Sequence, residues 1–161
     1  MVRMEVSSPA FAAGEMLPSR FTREGVNISP PLLWGPAPDA TRSLILIMED
    51  PDIPMPSFLL SSWVHWIVYN IPPHLTALSE NQPHGDMLAN NALQGRNSWR
   101  GHCYGGPCPP FGTHRYFFRL YALDTILILH PRHATKRALI KSMKGHVLAE
   151  GELMVLYRHQ Q

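Results

Sequence analysis

Apolar positions along the chain gather into a few dense blocks, separated by long polar stretches rich in proline. Ser43 to Glu49 reads Ser-Leu-Ile-Leu-Ile-Met-Glu, apolar at nearly every position, which is the pattern of a strand covered on both faces. The block ends abruptly at Asp50-Pro51-Asp52-Ile53-Pro54. Trp63 to Asn70 is rich in aromatic and β-branched residues and is closed by Pro72-Pro73, so it predicts a second strand. Arg115 to Leu123 predicts a third, with Tyr116, Phe118, Leu120 and Ala122 on one face and Arg115, Phe117, Arg119 and Tyr121 on the other. The spacing of Ala134, Ala138, Leu139 and Ile140 predicts one helix over His133 to Lys144, its inner face formed by these residues. Gly145 offers a stop, although the pattern also allows the helix to reach Ala149 before Gly151. Leu153 to Tyr157 reads as a short last strand.

No repeat or linker divides the chain, so residues 1–161 are expected to form a single domain. The fold class expected is mainly β: a sandwich of antiparallel sheets, a C-terminal helix packed on it, and long loops at Pro72 to Arg100 and Gly101 to Thr113. Composition sharpens this picture. The 16 prolines among 161 residues are about twice the usual ~5%, which argues against a helical bundle. A net charge of +2 gives no reason to expect a nucleic-acid partner, and no apolar run is long enough for a transmembrane segment. Met1 to Ala13 lacks the apolar centre of a signal peptide, so a cytoplasmic location is expected. The two cysteines, Cys103 and Cys108, are then free thiols.

Candidate chemistry lies at the strand ends. Asp50 and Asp52 flank Pro51, where the residue types suit either an ordinary turn or a pair of preset carboxylates. His65 shares the parity of Trp63, Ile67 and Tyr69, which fits a core histidine as well as a reactive one. Gly105-Gly106-Pro107 and Pro109-Pro110 precede His114 and Tyr116; such a loop either turns the chain or offers backbone N–H groups to a small anion. His102, Cys103, Cys108 and His114 have zinc-ligand chemistry without a second cysteine pair at ligand spacing, so no metal and no cofactor is expected. Asp50, Asp52, His65 and His114 also fit an acid–base or hard-metal set, which keeps a metal-assisted hydrolase open.

Taken in order, these segments resemble the phosphatidylethanolamine-binding protein family, in its bacterial and archaeal Raf-kinase-inhibitor-like branch. The resemblance rests on Asn27-Ile28-Ser29-Pro30-Pro31-Leu32 with Trp34, Asp50-Pro51-Asp52 with Pro54, and His65-Trp66-Ile67-Val68-Tyr69-Asn70-Ile71-Pro72. It extends through Gly95-Arg96-Asn97, Tyr104-Gly105-Gly106-Pro107-Cys108-Pro109-Pro110 and Gly112-Thr113-His114-Arg115-Tyr116 to the C-terminal end. It implies a β-sandwich with a small anion pocket lined by Asp50, His65, the loop Gly105 to Pro110, His114 and Tyr116, with Asp52 and Pro54 in or beside it. It also implies a cis peptide bond near Asp50-Pro51-Asp52, with Ile53-Pro54 the bond to inspect.

The implied function is non-enzymatic binding of a small anion or a phospholipid headgroup, possibly coupled to signalling. The family's alternative is a protein inhibitor that docks on a kinase or a peptidase. The expected mechanism has the glycine-loop N–H groups and both imidazoles donating to an oxyanion, with Asp50 orienting and charging a histidine. Two stretches depart from the branch. Met55 to Ser62 is longer than usual and sets Phe58, Leu59 and Leu60 near the expected pocket mouth, as a lid or a homodimer contact; Trp99-Arg100-Gly101-His102 is heavier than usual.

Overall fold

The computed structural model describes residues 1–57 and 59–159. Nine strands and one α-helix follow in order: β1 (Val2–Arg3), β2 (Val6–Ser7), β3 (Leu32–Trp34), β4 (Ser43–Asp50), β5 (Trp63–Ile71), β6 (Ala77–Leu78), β7 (Leu93–Gln94), β8 (Thr113–Leu123), α1 (Lys136–Met143) and β9 (Val147–Arg158). They form a six-stranded sheet in the order β1-β9-β8-β4-β5-β7 and a three-stranded sheet in the order β2-β3-β6. Pairing is antiparallel throughout, except that β1 runs parallel to β9.

The unbroken apolar run of β4 is explained by two layers of cover. Leu44, Leu46 and Met48 face the small sheet and join Leu32, Trp34, Trp66, Val68, Phe118 and Leu120. Ile45 and Ile47 face the other way and pack with Ile67, Tyr69, Leu139 and Met143 beneath α1. Every residue of β4 is buried, and each fully buried aliphatic side chain contributes roughly 1.5–3 kcal/mol. Glu49 and Asp50 are the two carboxylates of that strand, and Glu49 is the one held under α1. Burial would raise its pKa, but hydrogen bonds from Lys136 and Ser62 and the charges of Lys136 and Arg119 outweigh it and hold the carboxyl low. A pin between sheet and helix results.

The C-terminal part differs from the sequence expectation. The α-helix begins at Lys136, where Thr135 Oγ1 accepts the Ala138 N–H, and residues 131–133 form a separate 3₁₀ turn. It ends at Met143 and does not reach Ala149, because Gly145 takes a left-handed φ of 84° and releases the chain. Met143 and Leu139 point inward, whereas Ile140 is 44% exposed. The last strand is correspondingly longer than Leu153 to Tyr157: it starts at Val147 and pairs with β8 along its whole length. Two short strands inside the expected loop Pro72 to Arg100 (β6 and β7), and three more ahead of β4 (β1, β2 and β3), carry too few residues for a period to show.

Candidate functional site

The site forms where β4 ends, β8 begins and β5 carries an irregularity. Between β4 and β5 the pairing steps from Met48↔Trp66 to Glu49↔Val64, leaving His65 as an extra residue on β5. Such a bulge re-aims a side chain. Val64, Ile67 and Tyr69 therefore stay in the cluster under the helix, while His65 and Trp66 both turn to the opposite side. His65 lies edge-on to Tyr116 and Trp99, with ring centroids 5.3 and 5.1 Å away. The shared parity with Ile67 and Tyr69 thus placed His65 on the wrong face.

Asp50, at the end of β4, has both oxygens committed. Oδ1 accepts the N–H of Asp52 at 2.7 Å and Oδ2 accepts from Nδ1 of His114 at 2.6 Å. Both side chains of the Asp50–His114 pair are buried. Burial raises the Asp50 pKa, against the hydrogen bond from His114, which lowers it. Asp52 turns away: Arg115 donates to it from Nε, from a terminal nitrogen and from its backbone N–H at 2.8–3.0 Å. That hydrogen-bonded guanidinium holds the Asp52 carboxyl below its ordinary pKa.

His65 Nδ1 sits 2.6 Å from the carbonyl oxygen of Gly105. A carbonyl oxygen only accepts, so Nδ1 carries the hydrogen and Nε2 of the neutral ring carries a lone pair. Burial, reinforced by the charges of Arg23 and His114 and opposed by the Gly105 bond, brings the His65 pKa down to about 4. The sequence expectation that both imidazoles donate therefore fails at His65. It fails also for the glycines: Gly105 N–H donates to His65 O at 3.0 Å and Gly106 N–H to Asn27 Oδ1 at 2.8 Å. Their role is close packing. A Cβ on Gly105 would lie 2.5 Å from the Trp99 ring, and one on Gly106 would lie 2.4 Å from Phe21 O. With three of the residues from Gly105 to Pro110 being proline, Cys108 keeps the one N–H not so committed.

The resulting cleft has a volume of about 290 Å³. Of the residues expected there, Asp50, Pro54, His65, Pro109, Pro110, His114 and Tyr116 line it, and Asp52, Gly105, Gly106 and Pro107 do not. Arg23, Trp63 and Trp99 also line it and were not anticipated. The Arg23 guanidinium lies 3.9 Å over the Trp99 ring, and its backbone N–H donates to Pro107 O. An arginine in an irregular loop carries no motif that would have flagged it, whereas Trp99 belongs to the segment already noted as heavy.

Two further expectations change. Among the described residues every peptide bond is trans, Ile53-Pro54 included. The chain reverses there through a tight turn in which Met55 N–H donates to Ile53 O at 2.8 Å, which a trans bond before Pro54 accommodates. Leu59 and Leu60 do not border the cleft. They line a separate groove of about 670 Å³ against Arg96, Arg100, Arg137 and Ile140; Phe58 lies outside the described residues. Among the described residues, no three His, Cys, Asp or Glu side chains gather as a metal would require. Of the acid–base set, Asp50, His65 and His114 line the cleft, whereas Asp52 is turned onto Arg115 and Nδ1 of His65 is committed to Gly105. No helix among the described residues is long and apolar enough to cross a membrane.

This combination of a two-sheet sandwich with an Asp–His pair at one end matches a known class. The family model for phosphatidylethanolamine-binding protein matches residues 7–158. A Methanothermobacter thermautotrophicus relative, named UPF0098 protein, is 48% identical over 155 residues, covering 96% of this chain and 99% of the relative. A phosphatidylethanolamine-binding protein homologue from Chlamydia trachomatis superposes with a TM-score of 0.88 at 39% identity, covering 99% of this chain and 100% of that one. YbcL of E. coli, described as a member of the mammalian family, gives 0.87 at 31% identity, over 98% of this chain and 99% of that one. The chain belongs to the phosphatidylethanolamine-binding protein family, as the sequence motifs indicate.

Proposed function

We propose that the protein binds a small phosphorylated anion in the cleft between Asp50, His65, His114 and Tyr116, without turning it over. The observation that carries this reading is the buried Asp50–His114 pair. With Nδ1 committed to the carboxylate at 2.6 Å, His114 has only Nε2 left for a ligand, and the carboxylate behind the imidazole fixes the ring that presents it. Arg23 adds a fixed positive charge to the same wall, and the Tyr116 hydroxyl and Cys108 N–H supply neutral donors. Binding without chemistry fits the remaining groups: each Asp50 oxygen already accepts a hydrogen bond, which weakens the carboxylate as a base toward a ligand.

Calorimetric titration of inorganic phosphate and phosphoethanolamine at pH 6 and pH 8 tests the reading. Wild type should bind both ligands, and His114→Ala should lose at least about tenfold in affinity, the scale of a lost charge-assisted hydrogen bond. Equal affinity in the two proteins would remove the basis for the proposal.

A further inference from the structure

The groove of about 670 Å³ shares no lining residue with the cleft, and the anion reading makes no use of it. Leu59 and Leu60, from the segment between β4 and β5, face Arg137 and Ile140 of α1 across it, and Arg96 and Arg100 enter from the loop after β7. The two walls are pinned together at depth: Ser62 Oγ donates to Glu49 Oε1 at 2.6 Å, and Lys136, at the start of α1, donates to the same oxygen. Lys136 is thereby neutralised. For Arg96, Arg100 and Arg137, by contrast, no ion pair and no contact with an aromatic face is present among the described residues. Arg137 and Ile140 stand three residues apart on the helix and so share a face. Leu59 is 61% exposed beside them. We propose that this groove docks a segment of another protein that carries carboxylates interleaved with aliphatic side chains.

Charge complementarity selects this occupant. A guanidinium fork matches a carboxylate with two parallel hydrogen bonds, and the leucines and Ile140 offer apolar contact between the charges. No partner fixes the three guanidiniums, so one small anion gains little there, whereas a chain that meets several at once gains from each. A nucleic acid would find charge but no ring to stack on, since the apolar side chains lining the groove among the described residues are all aliphatic. A second copy of this chain is a poor donor of carboxylates. All but Glu5, Glu15, Asp39 and Asp86 are already paired with a cationic or imidazole side chain, and no two of those four are neighbours in sequence. Arg100 adds an independent sign. Its φ of 68° is left-handed, where glycine is the least costly residue, yet the loop presents a guanidinium at that point.

The experiment is fluorescence anisotropy of a dye-labelled, end-capped peptide repeating Glu-Glu-Leu, titrated with the full chain at low ionic strength. Wild type should bind it at least about fivefold more tightly than the same peptide with lysine for glutamate or with serine for leucine. Arg100→Gly and Arg137→Gln should each weaken binding about threefold, and the double variant about tenfold. The urea midpoint of Arg100→Gly should be unchanged or raised, which separates a docking role from a structural one. Saturating inorganic phosphate should leave the peptide bound. Four results overturn the proposal: no binding of the Glu-Glu-Leu peptide, equal binding of the glutamate and lysine peptides, equal binding by wild type and the double variant, or displacement by phosphate, which would place the peptide in the cleft. Tighter binding of single-stranded oligothymidylate at the same arginines assigns the groove to nucleic acid instead. A wild-type dimer that Arg137→Gln dissociates, read by light scattering, assigns it to a second copy; either outcome also overturns the proposal.

Discussion

Two hollows lie on either side of the loop from Arg96 to Gly101, and they differ in nearly every respect but location. The cleft is the smaller, about 290 Å³, and at its floor Asp50, His65 and His114 are buried and already hydrogen-bonded. The groove is more than twice as large, about 670 Å³. Arg96, Arg100 and Arg137 line it, and no ion pair to any of the three is present among the described residues. Asn97 separates the two by organising the loop: its Oδ1 accepts the N–H groups of Trp99 and Gly101, so Trp99 joins the cleft while Ser98 and Arg100 join the groove. The difference teaches that volume is a poor guide to a site. Preorganisation, meaning side chains fixed by partners outside the hollow, is what marks the cleft.

Substitutions can break this contrast. The largest effect is expected at His114→Ala, which leaves Asp50 buried and uncompensated. Losing one partner of a buried pair costs about 3–5 kcal/mol, readable as a lowered urea midpoint at pH 7. A loss below about 1 kcal/mol would mean that the pair is not the cleft's anchor.

A smaller effect separates the hollows by pH. His65 is neutral in the folded protein down to about pH 4, whereas the unfolded residue titrates near 6.5. Between those values the unfolded chain binds more protons, so this residue's contribution falls as pH drops through the window. The full loss approaches about 3 kcal/mol at its limit. Urea unfolding between pH 7 and pH 4 should show this slope in wild type and a flatter one in His65→Gln; parallel slopes would contradict the assigned tautomer. The smallest effect belongs to the groove. Arg137→Gln and Ile140→Ser should each change stability by no more than about 0.5 kcal/mol and phosphate affinity by less than twofold. A groove variant that abolishes phosphate binding would reverse the assignment of the two hollows.

The layered fold was legible in the sequence because β4 is apolar at consecutive positions and β8 alternates, and both signals survive folding intact. The cleft was legible in part. Asp50, His114 and Tyr116 were found from motif order, and a histidine partner for Asp50 was expected, yet the Gly105 partner of His65 was not, since that hydrogen bond spans forty residues and leaves no local trace. Arg23 was invisible for the same reason. The glycines were read as open donors when steric contact with Trp99 and Phe21 is what demands them. The C-terminal helix was overextended because Ala149 fits a helical face and a strand equally well. The Gly145 left-handed turn then hands the chain to a strand whose alternation Gly151 obscures.

The bulge at His65 has one more consequence, which concerns chain length. Around it β5 alternates, with Val64, Ile67 and Tyr69 in the helix-covered layer and Trp66 and Val68 in the other, until a second register shift before Ile71 sends that residue to the Trp66 side. Excising His65 would bring Val64 and Trp66 into direct succession and leave them opposite Glu49 and Met48, the partners they already have. The strand would then alternate from Val64 through Tyr69. That stretch of the sandwich, in other words, needs one residue fewer than the cleft does, and the surplus residue is the one through which the face-to-face stack of two sheets sets an imidazole in the cleft.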